Sequence, residues 1–124
     1  MRAIAPADAR ARRYMILRKA TAATEAGIAP GANQQSELSR LIAESARTGQ
    51  HLVSETMRPS AKGRRYRNSR DGMTFYDGPF AETKELIGGY VIVSADSLDD
   101  AGRWAEQYID TVAASEVDVR ELVD

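Results

Sequence analysis

Arg13-Tyr-Met-Ile-Leu-Arg-Lys19 is apolar at four successive positions, so a strand here points Tyr14 and Ile16 to one face and Met15 and Leu17 to the other. A strand apolar on both faces belongs in the interior of a sheet. Gly89-Tyr-Val-Ile-Val93 repeats the pattern and predicts a second central strand. Between them the period changes. Leu38, Leu41, Ile42 and Ala46 stand at i, i+3, i+4 and i+8, the stripe of a helix over Ser36–Thr48, with Asn33 or Ser36 as its N-cap and Gly49 as its stop. Residues 20–33, with Gly27, Pro30, Gly31 and Asn33, read as a loop. His51–Met57 is a further strand, stopped by Pro59. Arg64–Asn68 and Met73–Tyr76 flank Ser69-Arg70-Asp71-Gly72, a hairpin turn of Asp-Gly type. Leu98, Ala101, Ala105, Tyr108, Ile109 and Val112 form the stripe of a second helix, capped by Asp96 or Ser97, with Trp104 on its flank; Val117–Leu122 closes the chain as a strand.

The order strand, helix, strand, hairpin, strand, helix, strand predicts an α+β, ferredoxin-like split βαβ fold with an inserted β-hairpin. Two helices cover one face of a four-stranded sheet. The double-sided strands ask for cover on the other, and a second copy supplies it, so a homodimer joined through its sheets is expected.

Length and composition narrow the classes. With 124 residues and 43% hydrophobic content the chain makes one domain, expected over residues 13–124 behind a loose N-terminal extension at 1–12. No cysteine is present, which removes disulfides and thiolate metal sites, and one histidine cannot build a multi-histidine site; neither a metal nor an organic cofactor is expected. The stretch MRAIAPADARARR lacks the apolar centre of a signal peptide, and no segment approaches the ~20 apolar residues of a membrane span, so a soluble, cytoplasmic protein is expected, with no membrane partner.

Charge is divided unevenly: residues 1–76 hold 14 Lys/Arg against 6 Asp/Glu, and residues 77–124 hold 3 against 12. Halves of opposite sign neutralise each other within a fold or across a subunit contact. The basic run Arg58, Lys62, Arg64, Arg65, Arg67 and Arg70 lies on a hairpin whose alternation splits it between two faces, which makes nucleic acid an unfavoured partner.

Asp77-Gly78-Pro79-Phe80, followed by Glu82-Thr83-Lys84-Glu85, resembles the name-giving motif of the DGPF branch of the YCII-related proteins, a bacterial family. Leu52-Val53-Ser54-Glu55 with Arg58-Pro59-Ser60, and Asp96-Ser97-Leu98-Asp99-Asp100-Ala101, extend the resemblance, which runs from about Tyr14 to Glu121. It implies a dimeric α/β barrel, two ferredoxin-like subunits pressed sheet to sheet, with a cleft between sheet and loops and no established reaction. Some members are encoded beside, or fused to, extracytoplasmic-function sigma factors. Relatives outside the branch have a proposed His–Asp pair with its histidine on the first helix. Ser36–Thr48 contains no histidine, so that chemistry is not transferred.

The candidate site residues follow from their settings. Glu55 is an acid inside a short strand, where acids are depleted unless given a role; it is the leading candidate for a general base or polar anchor. His51, four residues earlier, is expected on the same face. Asp77, Glu82, Lys84 and Glu85 gather three carboxylates and an ammonium beside a rigid turn. Such a cluster serves either as a solvated turn or as an acid–base site; in the second case Asp77 joins Glu55 and His51 in catalysis, and Glu82 and Lys84 bind the ligand. Two functions stand at this level: a small-molecule-binding or enzymatic cleft with acidic residues in its pocket, or a non-catalytic accessory module linked to sigma-factor regulation.

Overall fold

The computed structural model describes residues 11–81 and 85–123. Strand β1 (Arg12–Lys19) leads through a short helix α1 (Ala22–Glu25) into α2 (Ala32–Arg47). Strand β2 (His51–Thr56), a 3-10 turn at Ser60–Lys62 and the strands β3 (Arg64–Ser69) and β4 (Gly72–Asp77) follow. Then come β5 (Ile87–Ala95), α3 (Leu98–Val112) and β6 (Val117–Glu121). Four strands form one antiparallel sheet in the order β2-β5-β1-β6, and β3 pairs only with β4. The two double-sided apolar segments are the two interior strands. This is the expected ferredoxin-like order with the hairpin as an excursion. The extension expected over residues 1–12 falls outside the described residues as far as residue 10, and Arg12 already belongs to β1.

The sheet's two faces differ. On one, Tyr14, Ile16, Val91, Val93 and Ala95 are buried against Ala101, Trp104, Ala105 and Tyr108 of α3, with Leu38, Leu41, Val112, Val117 and Val119 at the margin. Register places Met15 beside Ile92 and Leu17 beside Tyr90 on the other face, where all four are half-buried. No helix among the described residues takes part in that face.

Local chemistry explains the corrections to the boundaries. The stretch read as a loop holds α1, because Thr21 and Thr24 form a reciprocal capping box. Helix α2 starts at Ala32, four residues before Ser36: Pro30-Gly31 ends the preceding segment and Ala-Asn-Gln-Gln continues as helix without a side-chain cap. Gln35 Nε2 instead donates to the Pro30 carbonyl at 2.8 Å. Ser97, not Asp96, caps α3, its Oγ accepting from the Asp100 amide at 3.1 Å. Trp104 sits at the centre of the core rather than on a flank, 2% exposed, and its Nε1 donates to Ser45 Oγ at 2.7 Å, tying α3 to α2. Leu98, expected in the buried stripe, is exposed in the first turn.

Candidate functional site: a cleft between the second helix and the sheet

One row of residues crosses the sheet below α2. Arg18 on β1 pairs with Gly89 on β5, and Gly89 pairs with Thr56 on β2. Arg18 shares the core-facing side with Tyr14 and Ile16, so its guanidinium lies over the sheet instead of leaving for solvent. Gly89 makes that possible. A Cβ there would come 2.7 Å from Arg18 Nη2 and 2.9 Å from the Glu55 carbonyl, so glycine leaves room both for the side chain to lie flat and for β2 to approach. Arg18 Nη2 reaches Thr56 Oγ1 at 3.2 Å, and its guanidinium carbon lies 6.0 Å from the centroid of the Tyr108 ring. Burial pushes the Tyr108 hydroxyl above its ordinary pKa, with Arg18 pulling weakly the other way, so it stays a neutral donor.

Two adjoining cavities meet at this row. One, of about 410 Å³, lies between the β1–α2 connection, α2 and the end of α3; it is lined by Arg18, Thr56, Ile28, Leu38, Met57 and Val112 among others. The other, of about 400 Å³, lies beside α2 at the β2 edge of the sheet and is lined by Leu38, Ile42, Ser54, Thr56 and Tyr108, with Glu55 and Tyr90 from the opposite face. Leu38 and Thr56 belong to both. The volumes are those of small-molecule sites, and the first has apolar walls with few polar groups.

Arg18 and its neighbour Lys19 are treated differently. Lys19 Nζ lies 3.2 Å from Asp118 and 3.8 Å from Glu116, and the hydrogen bond to Asp118 raises its pKa. Arg18 forms no ion pair among the described residues, and its Nε is buried without a hydrogen-bond partner. A buried N–H without a partner is costly, and the rest of this half-buried guanidinium is open to an incoming group.

The residues singled out in the sequence are not assembled into one site. A β-bulge in β2 is the reason: His51 is opposite Val93, but Val53 is opposite Ile92 and Glu55 opposite Tyr90. The extra residue reverses the alternation, so His51 shares the helix-covered face with Val93, its ring centroid 6.4 Å from that of Trp104, while Glu55 falls on the side of Tyr90 and Ile92. The expected common facing of His51 and Glu55 is therefore wrong. His51 Nε2 is buried without a partner, and desolvation lowers its pKa. Glu55 is an exposed residue of an edge strand, contributing to the rim of the smaller cavity.

Asp77 is exposed at the end of β4 and bonds Arg64 Nε across the hairpin at 2.7 Å. It lines neither cavity. The turn that follows it is a clasp. Ser60 Oγ accepts from the Phe80 amide at 3.0 Å, the Ser60 amide donates to Glu25 at 2.9 Å, and the Ser60 hydroxyl donates to the same carboxylate. A Cβ on Gly78 would overlap the Ser60 carbonyl, so this contact demands glycine. Gly78-Pro79 is a cis peptide. Pro59-Ser60 and Asp77–Phe80, two motifs apart in sequence, thus lock the hairpin base to α1. Glu82 and Lys84 lie outside the described residues.

On the hairpin, Arg64 stands over Phe75 at 4.2 Å, while Arg65 and Arg67 donate to the Tyr76 hydroxyl at 3.0 and 3.3 Å, as alternation requires. Both contacts, Arg67 first, lower the Tyr76 pKa. Among the described residues no group of three or more His, Asp or Glu is placed to hold a metal ion, and no helix is long and apolar enough to cross a membrane.

Sequence reasoning passed over Arg18, Thr56 and Tyr108 as a site. The signal for Arg18 was present: it stands two residues beyond Ile16, a charge on the core-facing side of a central strand. Residues 12–124 match the profile of the YCII-related domain. No curated protein matches the chain.

Proposed function

The chain belongs to the YCII-related domain family, and from that premise we propose that it binds a small molecule in the cleft between α2 and the sheet. The carrying observation is the pair of adjoining cavities, about 410 and 400 Å³, that share Leu38 and Thr56, the first of them lined also by Arg18, which forms no ion pair among the described residues. Tight packing is the rule in protein interiors, so space of this size beneath a helix is a place for a ligand. The Asp77–Phe80 motif, clasped to Ser60, serves the framework of this site rather than its chemistry, and it favours the DGPF branch within the family. Met15, Leu17, Tyr90 and Ile92 make the uncovered sheet face apolar, which supports a homodimer formed through it. Light scattering checks that directly: a dimeric mass at micromolar concentration is expected, and a monomer ends the assignment.

The cleft reading is tested with the neutral dye N-phenyl-1-naphthylamine, whose fluorescence rises in apolar sites. Saturable enhancement is expected with the native chain. Leu38→Trp, which fills the space common to both cavities, removes it with the melting temperature retained. Equal enhancement by the Leu38→Trp chain, or none by the native one, overturns the reading.

A specific observation favours one further role. Tyr66, Met73 and Phe75 share one face of the β3–β4 hairpin and are 59, 63 and 54% exposed. Such a face suits a protein contact, as an accessory module linked to sigma-factor regulation would need. Deleting the hairpin residues 66–75 would then abolish partner capture and leave dye binding intact.

A further inference from the structure

We infer that the ligand of this cleft is an amphipathic monocarboxylate, its apolar body along Ile28, Leu38, Met57 and Val112 and its carboxylate against Arg18 and Thr56. The inference rests on the cleft reading and adds the ligand's chemistry to it.

The charge count argues for one negative charge. Among the described residues two cations line the larger cavity, Arg18 and Lys19. Lys19 is already matched by Asp118 and Glu116, which leaves one positive charge for an incoming group. Among the described residues no carboxylate lines this cavity, so none of them competes for Arg18 there. A phosphate dianion would ask for more donors and more charge than one guanidinium and one hydroxyl provide. A carboxylate has the matching planar, two-oxygen geometry and single charge.

The second argument is positional. Arg18 Nη2 donates to Thr56 and Nε is buried, so Nη1 is the donor that the described residues leave to the cavity. Gly89 beneath it presents no Cβ to push it away, and Thr56 Oγ1 at 3.2 Å fixes its far end. The donor is held in place before any ligand arrives, which spares part of the ordering cost of binding. Ile28, Leu38, Met57 and Val112 give the cavity an apolar stretch that accepts a chain, while Thr21, Thr24, Gln34 and Gln35 are neutral polar groups on its wall.

Octanoate and its primary amide, octanamide, are nearly isosteric and differ by the charge, so their displacement of N-phenyl-1-naphthylamine decides the matter. Octanoate is expected to compete at least tenfold better at pH 7.5, the advantage of a charge-assisted over a neutral hydrogen bond. Arg18→Gln should bring the two within threefold of each other. Arg18→Lys, which keeps the charge but loses the planar fork, should cut the preference as well. Where Arg18→Gln lowers the melting temperature too far for assay, the native chain's ratio and Arg18→Lys carry the test. Equal competition by amide and acid overturns the carboxylate assignment while the dye still reports the cleft. Failure of both to displace a bound dye overturns it too. Absence of dye binding overturns the cleft itself.

Discussion

Helices α2 and α3 lie on the same side of one sheet and are seated on it in different ways. Helix α3 buries Ala101, Trp104, Ala105 and Tyr108, whereas the only fully buried residue of α2 is a polar one, Ser45. Alanines four apart let the backbone of α3 approach the strands closely, and Trp104 and Tyr108, stacked with centroids 5.6 Å apart, fill the space between. Helix α2 keeps Leu38, Leu41 and Ile42 half-buried: Leu38 and Leu41 pack at the margin of the core, and Leu38 and Ile42 line the cavity beside β2, the edge strand. The same stripe pattern thus yields a closed contact under one helix and an open one under the other. Stability resides with α3 and room for a ligand with α2.

The sharpest way to break this contrast is to truncate one residue under each helix. Trp104→Ala should cost about 3–5 kcal/mol in urea unfolding, the usual range for removing a large buried aromatic. Ile42→Ala, at a half-buried position lining the smaller cavity, should cost about 1 kcal/mol, a fraction of the full burial of an aliphatic side chain. Similar losses from the two would erase the distinction between a seated and a lifted helix.

A smaller effect tests the bond that links them. Ser45→Ala removes the acceptor of the buried Trp104 Nε1–H and should cost about 1–3 kcal/mol. A loss indistinguishable from zero would mean that α2 is anchored elsewhere.

The least effect is a pH dependence from His51, which packs beside Trp104. Burial lowers its folded pKa below the ordinary 6.5, so as pH falls through 6.5 the unfolded chain takes up the proton first. Stability contributed by neutral His51 is full above that pH and declines below it. Melting temperature measured from pH 7.5 to 5.5 should therefore fall more steeply for the native chain than for His51→Gln. Parallel curves would show that His51 does not titrate against the core.

The architecture was readable along the chain because its signals are local. Alternation at Tyr14–Leu17 and Tyr90–Val93 marks two interior strands wherever they end up, and Asp71-Gly72 marks a hairpin turn without reference to anything distant. The Asp77–Phe80 and Pro59-Ser60 motifs were also visible, but their meaning was not. Each looks like an isolated turn until Gly78 is seen against the Ser60 carbonyl, a contact between segments that composition cannot join.

The candidate site belongs wholly to the folded molecule. One extra residue in β2 sends His51 and Glu55 to opposite faces, and a bulge of that kind depends on pairing with β5, not on the sequence of β2 alone. Arg18, Gly89 and Thr56 come from three strands that are neighbours only in the finished sheet. The gap beside them goes with a stripe on α2 that stays half-buried where that of α3 is buried, an outcome of side-chain volumes summed over both helices and the strands beneath. Periodicity assigns a residue to a face; how closely that face is approached is decided by non-local packing.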